Sequence, residues 1–236
     1  MSALGDPHIH LEVVDSTNAY AKEQAQLGAG HGTTITADSQ TAGRGRQGRS
    51  WVAPPGSALL MSVILRPAEP RHRFAPLAAA LAVAETCEAL TEQTASIKWP
   101  NDVWIDGRKV SGILVEARPD QDIECSWVVI GIGLNTSIDL TQMPDELQQT
   151  ATTLGLPAGT DALAPLLDRL GHWIDADIDD LLGAWRQRDA LRGQAISWDG
   201  GEGVADGVDD EGNLLVQLAD GSQTALGAGE VHLKLT

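Results

Sequence analysis

The chain has 236 residues, 33 acidic side chains against 16 Lys and Arg, a formal charge of −17 and 42% apolar residues. That length suits one large domain, or a medium domain with a small one attached, around a real hydrophobic core. It excludes a helical membrane span, because no run nears the roughly 18–20 apolar residues a span needs, and it disfavours non-specific nucleic-acid binding, which rests on excess cation.

In chain order, Ile9, Leu11 and Val13 alternate and predict a short half-buried strand. Asp15-Ser16-Thr17-Asn18 offers N-cap chemistry for a helix over AYAKEQAQL, stopped by Gly28 and Gly30. The β-branched run from Thr33 to Gln40 predicts a strand, Thr41 to Gly56 a glycine-rich loop, and the apolar run Ser57 to Leu65 another strand. Pro76 fits the first turn of a helix with LAAALAVAETCEAL as its body. SIKW is a strand broken by Pro100, and VWI and RKVSGILVEA flank Asp106-Gly107, a pair that favours a type I′ hairpin. CSWVVIGIGLN reads as a strand ending in glycines and Asn135.

Leu163, Leu166, Leu170, Trp173 and Ile174, then Ile178, Leu181, Leu182 and Trp185, recur at helical spacing. The interleaved Asp168, Asp175, Asp177, Asp179 and Asp180 make a solvated outer face. Beyond about Leu191, short β runs alternate with Asp-Gly and Gly-Gly turns, the pattern of a small barrel. A boundary near Arg188 to Arg192 divides residues 1–190 from residues 191–236.

The N-terminus shows no basic segment followed by an apolar run, so no secretory signal is read. Cys87 and Cys125 lie far apart and form neither a disulfide framework nor a metal pair. A cytoplasmic protein is expected. Charge is uneven: residues 1–119 carry 12 acids and 11 bases, residues 120–236 carry 21 and 5. No acid occurs between Asp38 and Glu69, a window holding Arg44, Arg46, Arg49 and Arg66. Such a local positive field concentrates anions.

That window contains Gly43-Arg-Gly-Arg-Gln-Gly48, which satisfies G-x-G-x-x-G. A dinucleotide site needs a helix opening on the third glycine, and Trp51, Pro54 and Pro55 forbid one. The glycines instead allow a backbone nest for anions, with Arg44 and Arg46 projecting to different sides and Trp51 supplying a flat face. Like charges and glycines predict a loop that is mobile without ligand. KWPND holds Lys98, Asn101 and Asp102 at a sheet edge. Lys109 lies seven positions beyond Asp102 across the Asp-Gly turn, so hairpin pairing would bring the two together. In GIGLN, glycines admit a ligand and Asn135 offers an amide edge of the kind that reads adenine.

DSTN, SQTAGRGRQGRSW, KWPNDVWIDGRKVSGILVEA and GIGLNTS, in this order, closely resemble the biotin–protein ligases, also called biotin–[acetyl-CoA-carboxylase] ligases. The resemblance runs from about Asp15 to Asn135, and less specifically through the turn-rich tail. It implies an α+β fold, a class II aminoacyl-tRNA synthetase-like mixed sheet with packed helices, plus a small SH3-like β-barrel C-terminal domain. It implies an enzyme that joins biotin to ATP with Mg²⁺, giving biotinyl-5′-AMP, then passes biotin to a lysine of a carboxylase's biotin carboxyl carrier domain. Ser16, Thr17, Gln40, Gly43, Arg44, Trp51 and Lys109 would bind biotin. Arg46, Arg49, Trp51, Asn101 and Asn135 would bind ATP. Lys109 and Arg46 would stabilise the reacting anions, and Asp102 would act as base or orienter in transfer; no protein-held metal is implied.

Gln47 and Ser50 replace more basic residues of some relatives. DSTN begins at residue 15, leaving no room for the winged helix-turn-helix of repressor members. The sequence leaves the oligomeric state open, a homodimer included. The rivals are a lipoate-type ligase, whose arginine-glycine motif is different, and a non-enzymatic nucleic-acid-binding module using the Gly/Arg loop, against which the −17 charge stands.

Overall fold

The computed structural model describes residues 4–118, 126–227 and 231–233. Cys125 lies outside the described residues. The first sheet is built from β1 (His8–Val14), β2 (Thr34–Gln40), β3 (Ala58–Leu65), β4 (Ala95–Lys98), β5 (Asp102–Ile105), β6 (Arg108–Arg118) and β7 (Trp127–Asn135), in the order β1-β2-β3-β7-β6-β5-β4. β1 and β2 are parallel and every other neighbouring pair is antiparallel, so the sheet is mixed.

Period-2 alternation in β7 divides the core. Val128, Ile130, Ile132 and Leu134 join the main cluster, while Trp127 and Val129 turn to the opposite face. On that second face lies α1 (Thr17–Gln26), with Ala21 and Ala25 against Ile35 and Ile64. Ser16 caps α1 by accepting from the Ala19 N–H, and Gly28 follows its last turn at φ +97°. The main cluster centres on α2 (Ala75–Leu90), which is apolar almost all round and is buried between the sheet and α4 (Leu163–Asp175) with α5 (Ile178–Gln187). The five aspartates assigned to the outer face of α4, α5 and their connection are exposed.

Asp106 and Gly107 both have positive φ, +50° and +72°, as a type I′ turn requires, and they set the β5–β6 pairing. In β1 the alternation is not the expected one. Ile9 and Leu11 are half-buried, but Val13 is 62% exposed and Val14 turns inward, because the strand is a sheet edge near its end. The short helix α3 (Asp145–Thr150) has no apolar stripe and was not anticipated from sequence.

The tail forms β8 (Ala195–Trp198), β9 (Gly201–Val208), β10 (Leu214–Gln217), β11 (Gln223–Leu226) and β12 (Val231–Leu233) in one antiparallel sheet, order β11-β10-β9-β8-β12. This is the small antiparallel domain expected of the tail; among the described residues no pairing closes β11 on β12. Ile196, Leu214, Val216 and Val231 belong to the same apolar cluster as α2. Backbone bonds tie the two parts: Ile97 N donates to Arg188 O at 2.7 Å and Ala190 N to Ile97 O at 2.9 Å. Trp99 Nε1 donates to Gly212 O at 3.1 Å. No helix among the described residues is long and apolar enough to cross a membrane.

Candidate active site

The α1 face of the sheet is covered at one end and bare at the other. Positions of β6 and β7 that would fill the bare end are glycines: Gly112, Gly131 and Gly133. A methyl group on Gly131 would sit 1.9 Å from Asn18 Oδ1, and one on Gly133 would sit 2.4 Å from Trp51 Cε2. The missing side chains make seats for other parts of the chain and leave a cleft above the strands.

One wall of the cleft is polar and neutral. Ser16 and Thr17 enter from the first turn of α1, and Gln40 from the end of β2. Gln40 Oε1 accepts from the Thr17 backbone N–H at 2.8 Å and lies 3.2 Å from Thr17 Oγ1. The helix start and the strand end are thereby held together. Ser62, in the otherwise apolar β3, reaches Thr17 Oγ1 at 2.9 Å and Asn18 Oδ1 at 2.6 Å.

The loop from Gly43 to Trp51 forms the roof. Backbone bonds within the loop set its shape. Arg44 and Ser50 form an antiparallel bridge, Gly45 N donates to Arg49 O at 2.7 Å, and Trp51 N donates to Gly43 O at 3.0 Å. Gly43 is not a wall residue but a close-approach position: a methyl there would meet Trp51 O at 2.4 Å. The Trp51 indole lies on Gly112 and Gly133, and its Nε1 is buried without a hydrogen-bond partner. An orphaned buried donor costs about 1–3 kcal/mol. The space left is about 130 Å³.

The far wall is cationic. Lys109 Nζ sits 2.7 Å from Asp102 Oδ1 and 5.6 Å from the centre of the Trp51 ring. Arg46 Nη1 donates to Asn101 Oδ1 at 3.2 Å, and Asn101 Nδ2 donates to Ile113 O at 2.9 Å, so the loop docks on a residue already tied to the sheet. Arg44, Arg49 and Lys98 line the same space. Among the described residues no group of three His, Cys, Asp or Glu side chains could hold a metal ion.

The structure thus brings Ser16, Thr17, Gln40, Arg44, Arg46, Arg49, Trp51, Asn101, Asp102 and Lys109 to one cleft. It does not bring Asn135 to the wall. That side chain is buried, and its Nδ2 donates to Thr152 O at 2.9 Å. Sequence reasoning missed Asn18 and Val231, which line the cleft, and Ser62 behind it. Ser62 carried a signal, a lone hydroxyl in an apolar run. Val231 reaches the cleft from β12 and carried none.

Residues 10–135 match the Biotin/lipoate A/B protein ligase family, and residues 201–234 match the biotin protein ligase C terminal domain. A biotin–[acetyl-CoA-carboxylase] ligase from Mycobacterium tuberculosis is 34% identical over 243 residues, covering 93% of this chain and 86% of its own length. Its namesake from Paracoccus denitrificans is 33% identical over 230 residues, covering 90% and 95%. The bifunctional ligase/repressor BirA of Bacillus spizizenii is 42% identical over 158 residues, 66% of this chain. The match takes in 48% of that relative, so the chain spans about half its length. Among solved structures, the biotin protein ligase from Aquifex aeolicus in complex with biotin and ATP aligns with a TM-score of 0.79 at 29% identity, over 97% of this chain and 99% of the other. With more than half its residues in that match and the motif residues gathered in one cleft, the chain belongs to the Biotin/lipoate A/B protein ligase family.

Proposed function

We propose that the protein is an ATP-dependent biotin–[biotin carboxyl-carrier protein] ligase. In this reading it activates biotin to biotinyl-5′-AMP and transfers the biotinyl group to a lysine of a carboxylase carrier domain. The observation that carries it is one cleft with a neutral hydrogen-bonding wall at Ser16, Thr17 and Gln40, an indole-covered floor, and a cationic wall at Arg46 and Lys109. Those three surfaces suit a ureido ring, an aliphatic chain, and a carboxylate beside a phosphate. Residues 1–190 would supply these walls, and residues 191–236 would add Val231 at the rim.

Biotin's carboxylate is ionised at neutral pH, so adenylation needs no general base. A carboxylate oxygen attacks the α-phosphorus, the bond to the β-phosphate oxygen breaks, and pyrophosphate leaves. What the protein supplies is approach and charge cover. Lys109 and Arg46 face that region, and Arg44 and Arg49 add to the field. Mg²⁺ in this reading arrives with the ATP phosphates as part of the substrate and offsets their charge. Asp102 orients the Lys109 ammonium through their ion pair. In transfer, the acceptor amine attacks the acyl carbon, AMP leaves, and the amine loses a proton to water or to Asp102.

The test is biotin-dependent ATP–pyrophosphate exchange by the purified protein, with lipoate and no acid as parallel arms. Exchange with biotin alone supports the reading; exchange with lipoate alone, or none, overturns it.

A further inference from the structure

Behind the neutral wall, polar side chains run between α1 and the sheet face that it covers. Lys22 Nζ lies 2.5 Å from Glu116 Oε1. Asn18 Nδ2 donates to Glu116 Oε2 at 3.0 Å and to Leu114 O at 3.2 Å. Asn18 Oδ1 lies 2.6 Å from Ser62 Oγ, which lies 2.9 Å from Thr17 Oγ1. Ser62 is fully buried, and Gly131 leaves the seat that Asn18 occupies.

Proton counting orders this chain. The Asn18 amide nitrogen faces a carbonyl and a carboxylate, neither with a proton to give, so its oxygen faces Ser62. An amide oxygen only accepts, so the single Ser62 proton goes there. Ser62 Oγ then offers only lone pairs to Thr17. The Thr17 proton therefore points to Ser62 at 2.9 Å and not to Gln40 Oε1 at 3.2 Å. Thr17 Oγ1 is left with lone pairs for the cleft. Gln40 Oε1 is taken by the Thr17 N–H, so its Nε2 is a donor, and Ser16 Oγ accepts from Ala19 N, so its proton is available to a ligand.

We propose that Glu116, Asn18 and Ser62 are positioning residues that lock the Thr17 hydroxyl as an acceptor, so that the cleft selects a planar ligand edge with an N–H donor beside a carbonyl acceptor. This rests on the biotin reading, since a ureido ring has that edge. Glu116 and its Lys22 partner anchor the relay at its more exposed end, where they touch no ligand.

The experiment compares affinities for biotin and for its cyclic carbamate analogue, in which one ring N–H is replaced by oxygen, by titration calorimetry. The wild type is expected to favour biotin by about tenfold or more, since the carbamate sets acceptor against acceptor. Ser62→Ala frees the Thr17 proton to turn toward the cleft, and the preference is expected to fall below about threefold with the KM for ATP unchanged. Asn18→Leu removes the acceptor that holds the Ser62 proton, so that proton turns to Thr17 Oγ1 with the same result, and this variant carries the test if Ser62→Ala does not fold. Equal losses for both compounds, or an unchanged ratio in both variants, overturn the relay. A wild type that binds neither compound overturns the biotin reading itself.

Discussion

Lys109 Nζ and Asp102 Oδ1 lie 2.7 Å apart although they are seven positions apart in the chain, because the Asp106-Gly107 turn folds β6 back on β5. The pair is partly exposed, with side chains 34% and 18% accessible, so its weight in stability is about 0–1 kcal/mol. Its weight in chemistry is separate. Lys109→Ala is expected to lower pyrophosphate exchange by about 10²–10³-fold through loss of charge at the reacting anions. The melting temperature should move little. Asp102→Asn keeps the lysine and loosens its position, so a smaller loss is expected. Wild-type exchange in Lys109→Ala would remove that residue from the site.

Gly133 has no freedom to gain a side chain while Trp51 stays in place, since the added carbon would overlap the indole at 2.4–2.8 Å. A rigid indole cannot give by that much. Gly133→Ala should therefore displace Trp51 and raise the KM for biotin by about tenfold, the scale of losing one well-packed aromatic contact. The fold should survive, because alanine suits a strand better than glycine. An unchanged KM with altered tryptophan emission would show that the indole moves without consequence for biotin.

Much of this arrangement was legible in the sequence, and the rest was not for definable reasons. The Asp-Gly turn has a two-residue signature, so the Asp102–Lys109 meeting followed from local rules. The Ser16 cap was equally local. Val13 was misread because alternation says nothing about where a sheet ends. The shape of the Gly/Arg loop was not legible because it comes from the loop's own backbone bonds, which glycine content hides. Asn135 looked like a reader of bases, but the partner that takes its amide, Thr152, lies 17 positions on in a segment without periodicity. The role of Gly131 and Gly133 was half visible. The sequence showed close approach, and only the fold showed that Asn18 and Trp51 are what approaches.

Arg46 joins the roof to the sheet through Asn101 and faces the space where a phosphate would sit. Arg46→Gly removes both the tie and the charge. The roof should then open more readily, and biotinyl-5′-AMP should escape before an acceptor lysine arrives. Two readouts follow. Cleavage by trypsin after Arg44 or Arg49 should be faster in the variant than in the wild type, and biotin plus ATP should protect the wild type more. Exposed lysines of an unrelated bystander protein should become biotinylated. Unchanged bystander labelling would mean that Arg46 does not retain the adenylate.

Asp189 stands where the two sheets join. Its backbone bridges to Ile97, its Oδ1 accepts from Leu191 N at 2.8 Å, and its Oδ2 is buried with no partner. Burial raises its carboxyl above the ordinary 3.8, against the opposing pull of the Leu191 and Arg192 N–H groups and the Arg192 charge. The folded chain therefore holds this proton more tightly than the unfolded chain does. Between 3.8 and the raised value the native state binds more protons, so stability falls as pH rises through that window and stays lower at neutral pH. Asp189→Asn keeps the acceptor for Leu191 and removes the buried charge, and a neutral amide costs less to bury than a carboxylate. The variant should melt higher than wild type at pH 7, by roughly 2–4 °C for each kcal/mol recovered. The gap should narrow from pH 7 toward pH 4, as the wild-type carboxyl begins to take up its proton in the folded state. Thermal melts of both proteins across that pH range decide it. A gain of equal size at both pH values would assign the effect to packing at the joint, and a loss at pH 7 would mean that the ionised carboxylate holds the two sheets together.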